Sequence, residues 1–341
     1  MSGGSQKGGW KSPTIREIAK LAGVGSASVD RVLNNRPGVK EKTRTRVLAA
    51  LEKLNREKAG ETGPLEILLF SESGESFNGA MALAAEQVNR TIPGVQVNGH
   101  FVITSEMDPL PFARKISEDG LRADGVILVA REHPAVNRAV RTLTSAGVPV
   151  VCMTSDLPSS RRSAYIGNDQ SAAGCVAAQL VGQILPDNPS SILLVMSEAY
   201  RAQQERELGF RRVLRSEFPH LKIEERVISD DSPKTTKEQL LKYFETHDTP
   251  AAIYNVAGAN RGVAEALTIR NVEHETIFVG HELTNKSVAL LEARIMDYVI
   301  SHDFASEMTA SVQWIRDRLN GVDTSPQASQ ILVHTRYNCD L

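Results

Sequence analysis

The chain has 341 residues, of which 41% are hydrophobic and 23% are charged, and its formal net charge at pH 7 is −2. This length exceeds what one hydrophobic core usually holds, so we expect two or three domains. Cys152, Cys175 and Cys339 form no C-x-x-C pair, which argues against a disulfide framework or a zinc site and fits a reducing cytoplasm. No apolar run is long enough to cross a membrane, and residues 1–13 lack the hydrophobic stretch of a signal peptide. We expect those residues to form a flexible arm.

The charge is divided unevenly along the chain. Residues 1–58 hold 13 Lys and Arg against 5 Asp and Glu, a net of +8, whereas the remainder has a net of −10. A basic segment joined to an acidic body is typical of a nucleic-acid-binding module attached to a domain that binds something else.

Residues 14–34 predict two short helices joined by a tight turn. Thr14 and Glu17 have the spacing of a capping box, in which each side chain bonds to the backbone N–H of the other. Gly23-Val24-Gly25 breaks the helix, because glycine can adopt positive φ at a turn. The residues predicted to face inward from the two helices are Ile15, Ile18, Ala19, Ala22, Val29, Val32 and Leu33. This pattern indicates a helix-turn-helix, although an ordinary helical hairpin remains an alternative on these residues alone.

The sequence that follows these two helices favours the helix-turn-helix over an ordinary helical hairpin. A third helix is predicted from Glu41 to Leu54, with Val47, Leu48, Leu51 and Leu54 inward. The phrases TIREIAKLAGV, VDRVLNNRPGV and TRTRVLAALEKL follow in order without gaps, and this run resembles the DNA-binding headpiece of the lactose-repressor (LacI) family of bacterial transcription regulators. The resemblance implies that residues 14–58 form a helix-turn-helix domain that binds double-stranded operator DNA.

The outward face of the second helix carries the candidate base-reading residues. The resemblance implies base contacts for Ser26, Ala27 and Arg31, with Ser28 on the same face, and Arg31 is the best candidate for guanine O6 and N7. Asp30 departs from the family, which usually has Ser there. Its carboxylate either accepts from a cytosine amine or pairs with Arg31 or Arg16. Predicted phosphate contacts are Thr14, Asn34 and Lys42, each of which could instead be a helix cap or a solvated side chain.

The segment NREKAGETGP, residues 55–64, reads as a linker, which we delimit as residues 59–64. Family members commonly have here a hinge helix whose leucines wedge into the minor groove. This segment contains no Leu, Ile, Met or Phe, and Gly60, Gly63 and Pro64 disfavour helix. We therefore predict little DNA bending.

From Leu65 onward, short apolar strands alternate with helices, which predicts an α/β fold with parallel sheets covered on both faces. The predicted strands are 65–70, 95–103, 125–130, 148–153, 191–196, 222–228, 251–256 and 276–281, followed by MDYVIS and a last strand ILVHTRY. The predicted helices are 78–90, 110–120, 134–146, 171–185, 203–217, 234–246, 261–271, 285–293 and 304–320. Two doubly wound rounds of similar size suggest two lobes with a ligand cleft at the carboxyl ends of their strands.

This body resembles the type I periplasmic sugar-binding fold that the family carries behind its headpiece. The phrases that carry the resemblance are DGVIL (124–128), GVPVV (147–151), IGND (166–169) followed by AAG (172–174), RELGF (206–210) and FVGHE (278–282). Residues 65–341 are then one effector-binding and dimerisation domain. Its first lobe would comprise about 65–160 plus 302–322, and its second about 161–301 plus 323–341, with three crossovers allowing closure around a hinge.

Five residues near the strand ends are candidate effector contacts: Phe77, Asp156, Arg206, Asn255 and Glu282. The resemblance implies that Phe77 stacks on the effector, Arg206 donates a pair of hydrogen bonds, and Asp156 and Glu282 accept from hydroxyl groups. Alternatives are a core position for Phe77 and a surface salt bridge for Arg206. Glu282 stands where the family usually has Asp, and Ala257 replaces the Asp of the family's Asn-Asp pair, leaving Asn255 and Asn260.

Enzyme motifs are absent from the sequence. It contains no G-x-S-x-G elbow, no H-E-x-x-H, no Walker loop and no G-x-G-x-x-G after a strand. We expect a non-enzymatic cytoplasmic transcription regulator, a repressor that acts as a homodimer or tetramer, needs no cofactor or metal, and responds to a sugar-like effector. The alternative is a small-molecule binding protein whose ligand does not regulate DNA binding.

Overall fold

A computed structural model of the chain describes residues 13–58, 63–197 and 200–339. The predicted arm, apart from Pro13, and positions 59–62 of the predicted linker lie outside the described residues. The side chain of Lys42 also lies outside them, although its backbone belongs to a helix.

The N-terminal headpiece has three helices: α1 (Ile15–Ala22), α2 (Ser26–Leu33) and α3 (Glu41–Lys58). The capping box is present: Thr14 N donates to Glu17 Oε2 at 2.6 Å, and Glu17 N donates to Thr14 Oγ1 at 3.2 Å. Gly23 ends α1 with φ 59°, as the turn requires. The third helix runs four residues beyond its predicted end at Leu54, so the linker begins later than the composition of residues 55–58 indicated.

The headpiece core is small and buried where the three helices meet. Its buried members are Ile18, Ala19, Ala22, Val29, Val32, Val47 and Ala50. Three residues predicted to face inward lie at the edge instead, because Ile15 is 39% exposed, Leu33 38% and Leu48 47%. Three helices this short enclose only a narrow stripe from each helix, so the flanking apolar side chains remain in contact with water.

The body contains two parallel sheets. The first has five strands in the order β2-β1-β3-β4-β5, and the second has six in the order β11-β10-β9-β8-β6-β7, in which only β11 is antiparallel to its neighbour. The strands are β1 (Leu65–Ser73), β2 (Val95–Ile103), β3 (Gly125–Val129), β4 (Val150–Met153), β5 (Ala164–Ile166), β6 (Ser190–Met196), β7 (Leu221–Ile228), β8 (Ala252–Asn255), β9 (Ile277–His281), β10 (Tyr298–Ser301) and β11 (Leu332–His334). The fold class predicted from the alternating pattern is confirmed.

Helices cover both faces of each sheet. They are α4 (Glu75–Thr91), α5 (Pro109–Gly120), α6 (Pro134–Ser145), α7 (Gln170–Ile184), α8 (Arg201–Glu217), α9 (Pro233–Phe244), α10 (Asn260–Arg270), α11 (Asn285–Glu292) and α12 (Phe304–Leu319). Each sheet therefore has two separate apolar cores, one on each side. Fully covered strands explain the continuous apolar runs in the sequence, such as the five buried residues of β3.

The chain passes between the lobes three times. Lobe 1 contains β1 to β5 with α4, α5, α6 and α12, and lobe 2 contains β6 to β11 with α7 to α11. The strand β5 belongs to the sheet of lobe 1, where Val151 of β4 pairs with Ala164. The first crossover therefore follows Ile166, and the predicted boundary at residues 160–161 falls inside lobe 1. The chain returns to lobe 1 after Ser301 and passes to lobe 2 again after Leu319.

Candidate functional site

A cavity lies between the lobes, at the carboxyl ends of strands from both sheets. Lobe 1 contributes residues 73–77 after β1 and Thr154 and Ser155 after β4. Lobe 2 contributes Arg206 from α8 and the loops that follow β7, β8 and β9. This is the position at which doubly wound parallel sheets bind ligands.

Arg206 is the buried cation of this cavity. It is 2% exposed, its Nε donates to Gln170 Oε1 at 2.7 Å, and its Nη1 donates to the Val256 carbonyl at 2.9 Å. These bonds fix the guanidinium plane while one edge of it lines the cavity. A surface salt bridge, the alternative for Arg206, does not describe this environment.

Two glycines position Arg206 by allowing α7 and α8 to pack with their backbones almost in contact. A Cβ placed on Gly174 would lie 1.9 Å from the Arg206 backbone oxygen, and one placed on Gly209 would lie 1.9 Å from the Ser171 oxygen. No side chain larger than hydrogen fits at either position. The close approach brings Gln170, the first residue of α7, within reach of the guanidinium.

Glu282 faces Arg206 across lobe 2. Its Oε1 lies 4.0 Å from Arg206 Nη1, and its side chain is 14% exposed. Burial raises the pKa of Glu282, and the charges of Arg206 and His302 partly offset that effect. At this distance the pair leaves room for a ligand hydroxyl that accepts from the guanidinium and donates to the carboxylate.

Asp231, at the end of the loop after β7, is a second acid in the cavity that we did not predict. Its Oδ1 accepts from Gly258 N at 3.0 Å, and no ion pair to it is present among the residues that the structure describes. Burial, reinforced by the negative charge of Glu282, raises the pKa of Asp231 to about 6. The segment SDDSP directly after a predicted strand is the sequence signal from which this residue could have been found.

Lobe 1 presents hydroxyl groups to the cavity. Thr154 is 5% exposed and Ser155 is 3% exposed, and neither Oγ1 of Thr154 nor Oγ of Ser155 has a hydrogen-bond partner within the described part of the chain. Buried hydroxyls usually find a partner. Since both residues line the cavity, a ligand hydroxyl would satisfy them.

Backbone strain is concentrated at the same place. Thr154, Asp231, Ala259 and Glu282 all have positive φ, between 58° and 73°, and all four line the cavity. This conformation is costly for residues other than glycine and persists where the surrounding structure imposes it, often at ligand sites. Local strain therefore indicates the same site as the polar groups do.

The remaining predicted effector contacts have different positions. Phe77 lines the cavity and is also core, being 4% exposed and packed edge-on against Phe304 with ring centroids 5.3 Å apart. Asn255 does not line it, because its amide is used within lobe 2, donating to Asn260 Oδ1 at 2.8 Å and to the Gly258 carbonyl. Asn255 therefore shapes the loop after β8.

The position of Asp156 corrects the role that the resemblance implied for it. Arg162 binds both of its carboxylate oxygens, at 2.5 and 2.7 Å, and Asp156 is not among the residues that line the cavity. The sequence signal was misleading, because an acid shortly after a strand end was assigned to the ligand while an arginine six residues further on engages it. Thr154 and Ser155 are the residues of this segment that reach the cavity.

On the headpiece, α2 presents a polar, exposed face. Ser26, Ala27 and Arg31 are exposed and Ser28 is half-buried. No hydrogen bond or ion pair to the Arg31 side chain is found within the described residues, and no side chain caps the start of α2. The arrangement leaves a guanidinium and a helix end of small residues available to a partner.

Asp30 is paired within the headpiece. Arg36 Nη1 donates to its Oδ2 and Asn34 Nδ2 to its Oδ1, both at 2.8 Å. The partner is thus neither Arg31 nor Arg16, the two arginines considered from the sequence. Asn34 caps the C-terminal end of α2, and Thr14 caps the N-terminal end of α1. Both residues therefore have the helix-capping role that was the alternative to a phosphate contact.

Among the described residues, no cluster of three or more His, Cys, Asp or Glu side chains could hold a metal ion. No helix within the same residues is long and apolar enough to cross a membrane.

A three-helix headpiece followed by a two-lobed parallel-sheet body with a polar inter-lobe cavity defines the class of protein. The family profile described as "Periplasmic binding protein domain" matches residues 114–323, and "Bacterial regulatory proteins, lacI family" matches residues 14–56. The chain therefore belongs to the periplasmic-binding-protein family through its body, and its headpiece matches the lacI family of bacterial regulatory proteins over residues 14–56.

Curated relatives include the HTH-type transcriptional regulator GalR of Escherichia coli (strain K12), which is 39% identical over 82 residues, 22% of this chain and 24% of GalR. The probable HTH-type transcriptional repressor ExuR of Bacillus subtilis (strain 168) is 22% identical over 214 residues, 58% of this chain and 59% of ExuR. The chain thus spans less than two thirds of the length of either relative.

Solved structures share the fold of the body. GanP, a glucose-galactose binding protein from Geobacillus stearothermophilus, aligns with a TM-score of 0.71 at 18% identity, covering 82% of this chain and 99% of GanP. A putative LacI transcriptional regulator from Bacteroides fragilis aligns with a TM-score of 0.71 at 17% identity, covering 81% of this chain and 98% of that one. At such identities the likeness establishes the fold and not the ligand.

Proposed function

We propose that this protein is a transcription regulator of the cytoplasm that binds operator DNA through α2 and is controlled by a small polar effector, a sugar or sugar derivative, in the inter-lobe cavity. The observation that carries the proposal is the presence in one chain of an exposed α2, whose Arg31 side chain has no partner among the described residues, and of a buried polar cavity between two lobes. The relatives named above are regulators by their printed names.

The DNA-binding half of the proposal rests on charge and exposure. Residues 1–58 have a net charge of +8, and α2 has small residues at its start and an arginine on its outward face. A helix of this kind enters a major groove, where arginine pairs with guanine O6 and N7. Ser26, Ala27 and Ser28 would face base edges or phosphates, with Thr14, Asn34 and Lys42 as candidate phosphate contacts.

The effector half rests on the mixture of groups around the cavity. Arg206 supplies donors, Asp231 and Glu282 supply acceptors, and the Thr154 and Ser155 hydroxyls supply either. Phe77 adds an apolar surface. A molecule with several adjacent hydroxyl groups and a C–H face satisfies all of these at once. In this proposal Asn255 shapes the site without touching the effector.

Two copies of the chain would act together. A dimer presents two α2 helices to successive major grooves, which doubles the contact with a near-palindromic operator. We therefore propose a homodimer. Sedimentation measurements on the full chain distinguish this dimer from a tetramer.

The DNA-binding half is tested by selecting binding sites from random duplexes with the full chain. We expect a near-palindromic consensus, and we expect Arg31→Ala to lose preference at one base position per half-site, at a cost of about 1–3 kcal/mol. Lys20→Ala, which removes a charge from the exposed side of α1, should change affinity for all sequences alike. No consensus, or a uniform loss of affinity in Arg31→Ala, would contradict the assignment.

The effector half is tested by thermal-shift screening of the full chain against sugars, sugar acids, polyols and purines. Arg206→Ala should abolish the stabilisation by any hit, because a cation removed from a closed polar site leaves its partners unsatisfied at roughly 1–3 kcal/mol each. Arg215→Ala, an exposed arginine on the same helix, is the matched control and should retain it. A hit that stabilises Arg206→Ala as well as the native chain binds elsewhere.

A further inference from the structure

Tyr200 connects the two lobes away from the crossovers. It is the residue directly before α8 in lobe 2, it is 5% exposed, and its hydroxyl donates to the Glu72 carbonyl of β1 in lobe 1 at 2.9 Å. The same hydroxyl lies 2.9 Å from Thr104 Oγ1, also in lobe 1. Because a phenol has one proton and gives it to Glu72, Thr104 must be the donor in the second bond.

The lobe 1 side of this contact is held in place independently of lobe 2. The Glu72 side chain is fully buried and ion-paired with Arg131 Nε, and it also accepts from the Arg131 backbone N at 3.2 Å. Thr104 follows β2, which is paired with β1 along nine residues. The carbonyl and the hydroxyl that meet Tyr200 are therefore anchored in the sheet of lobe 1.

Two other contacts between the lobes are a hydrogen bond at the hinge and a van der Waals contact across the cavity. Gln170 Nε2 donates to the Thr154 carbonyl at 3.0 Å, but Gln170 directly follows the first crossover, so this bond lies at the hinge. Opposite, a Cβ placed on Gly74 would meet Asp231 Cβ at 3.5 Å, which is a van der Waals contact. Tyr200 adds two directional bonds that exist only while the lobes are closed.

We propose that Tyr200 is a positioning residue that latches the lobes: through Thr104 and the Glu72 carbonyl it favours the closed cleft before any effector binds. Tyr200 directly precedes α8, which carries Arg206 six residues later, so the latch also sets the position of the Arg206 guanidinium relative to Thr154 and Ser155 of lobe 1. Without the latch, a smaller fraction of the molecules would be closed before the effector binds, and the apparent effector affinity would fall in proportion to that fraction. The role of closure in effector control rests on the proposed function, but the latch itself does not.

Hydrogen exchange of the full chain without any effector tests the latch. Gly74 of lobe 1 and Asp231 of lobe 2 face each other across the cavity. Gly74 is half-buried and Asp231 is 7% exposed, so closure shields their backbone N–H groups from water. In Tyr200→Phe we expect these amides to exchange about tenfold faster, the change that roughly 1.4 kcal/mol produces. Thr104→Val removes one of the two bonds from the side that does not line the cavity, and should give a smaller increase because the bond from Tyr200 to the Glu72 carbonyl remains.

The double variant and a matched control make the result specific. Tyr200→Phe with Thr104→Val should exchange no faster than Tyr200→Phe alone, because the bond to Thr104 is already lost with the Tyr200 hydroxyl. Tyr254→Phe loses a buried tyrosine hydroxyl bond inside lobe 2, to His281 Nε2 at 2.8 Å, and should leave exchange at Gly74 and Asp231 unchanged even if its melting temperature falls.

The latch is refuted if exchange at Gly74 and Asp231 is unchanged in Tyr200→Phe, if the two substitutions act additively, or if Tyr254→Phe accelerates these amides equally. Since no effector enters the measurement, a negative result would leave the proposed sugar response standing. Conversely, failure of the sugar screen would not affect the latch.

Discussion

Asp231→Asn should make the protein more stable near neutral pH, although it removes a polar contact from the cavity. The folded-state pKa of Asp231 is about 6, against an ordinary value of 3.8, because the carboxylate is buried beside Glu282 with no cation paired to it. Between these two values the folded state holds a proton that the unfolded state has released. The free energy of unfolding therefore falls as pH rises through this window and levels off above it.

The size of the effect follows from the shift. At 1.36 kcal/mol per pKa unit, the burial of this acid costs about 3 kcal/mol at about pH 7.5 and about 1 kcal/mol at about pH 4.5. Asparagine has no charge to bury, and its amide oxygen can still accept from Gly258 N. The stability gained by Asp231→Asn should thus be about 2 kcal/mol larger at the higher pH, as an order of magnitude.

Urea denaturation of the full chain at the two pH values measures this difference. Asp248→Asn, which removes an exposed carboxylate elsewhere in lobe 2, controls for the change in net charge. A stability difference between Asp231→Asn and the native chain that is independent of pH, or larger at low pH, would refute the account of a buried, unpaired acid.

Three further outcomes are expected. Gly209→Ala should lower the melting temperature and abolish the sugar response, because its Cβ would lie 1.9 Å from the Ser171 oxygen and force α7 away from α8. Leu208→Ala, at the neighbouring position, which is 66% exposed, should leave both the melting temperature and the sugar response unchanged. Arg36→Ala should weaken binding to all duplexes in a filter-binding titration, since it frees Asp30 to repel phosphates; unchanged affinity would show that Asn34 alone suffices. A circular-permutation assay on the bound operator should show little bending, and a sharp central kink would mean that residues 55–64 were misread.

Much of the architecture was predictable because local and global signals agree. The Thr14–Glu17 box and Gly23 define the ends of α1 from the sequence alone, and the strand 95–103 has its predicted bounds. The strand β5 was missed because its three residues, Ala164–Ile166, are too few to show a pattern. Its strand character comes from pairing with β4, a tertiary contact that no local propensity encodes.

The cavity was only partly predictable for a related reason. Arg206 and Glu282 were found through the phrases that resemble the family, but Asp231, Thr154 and Ser155 reach the site from irregular loops. Asp231 and Thr154 have positive φ, a conformation that cannot be predicted from the sequence for residues other than glycine and asparagine. In such loops the side-chain direction is set by what packs around them.

The central claim is that a ligand in the inter-lobe cavity controls DNA binding, and an anisotropy titration of the selected operator tests it most directly. The native chain and Arg206→Ala are each titrated with and without the sugar that gives the largest thermal shift. We predict that the sugar changes the operator Kd of the native chain by roughly fivefold or more, and leaves that of Arg206→Ala unchanged while both select the same sequence. Equal operator affinity with and without bound sugar in the native chain would contradict the account, because the cavity would then bind its ligand without any coupling to the headpiece.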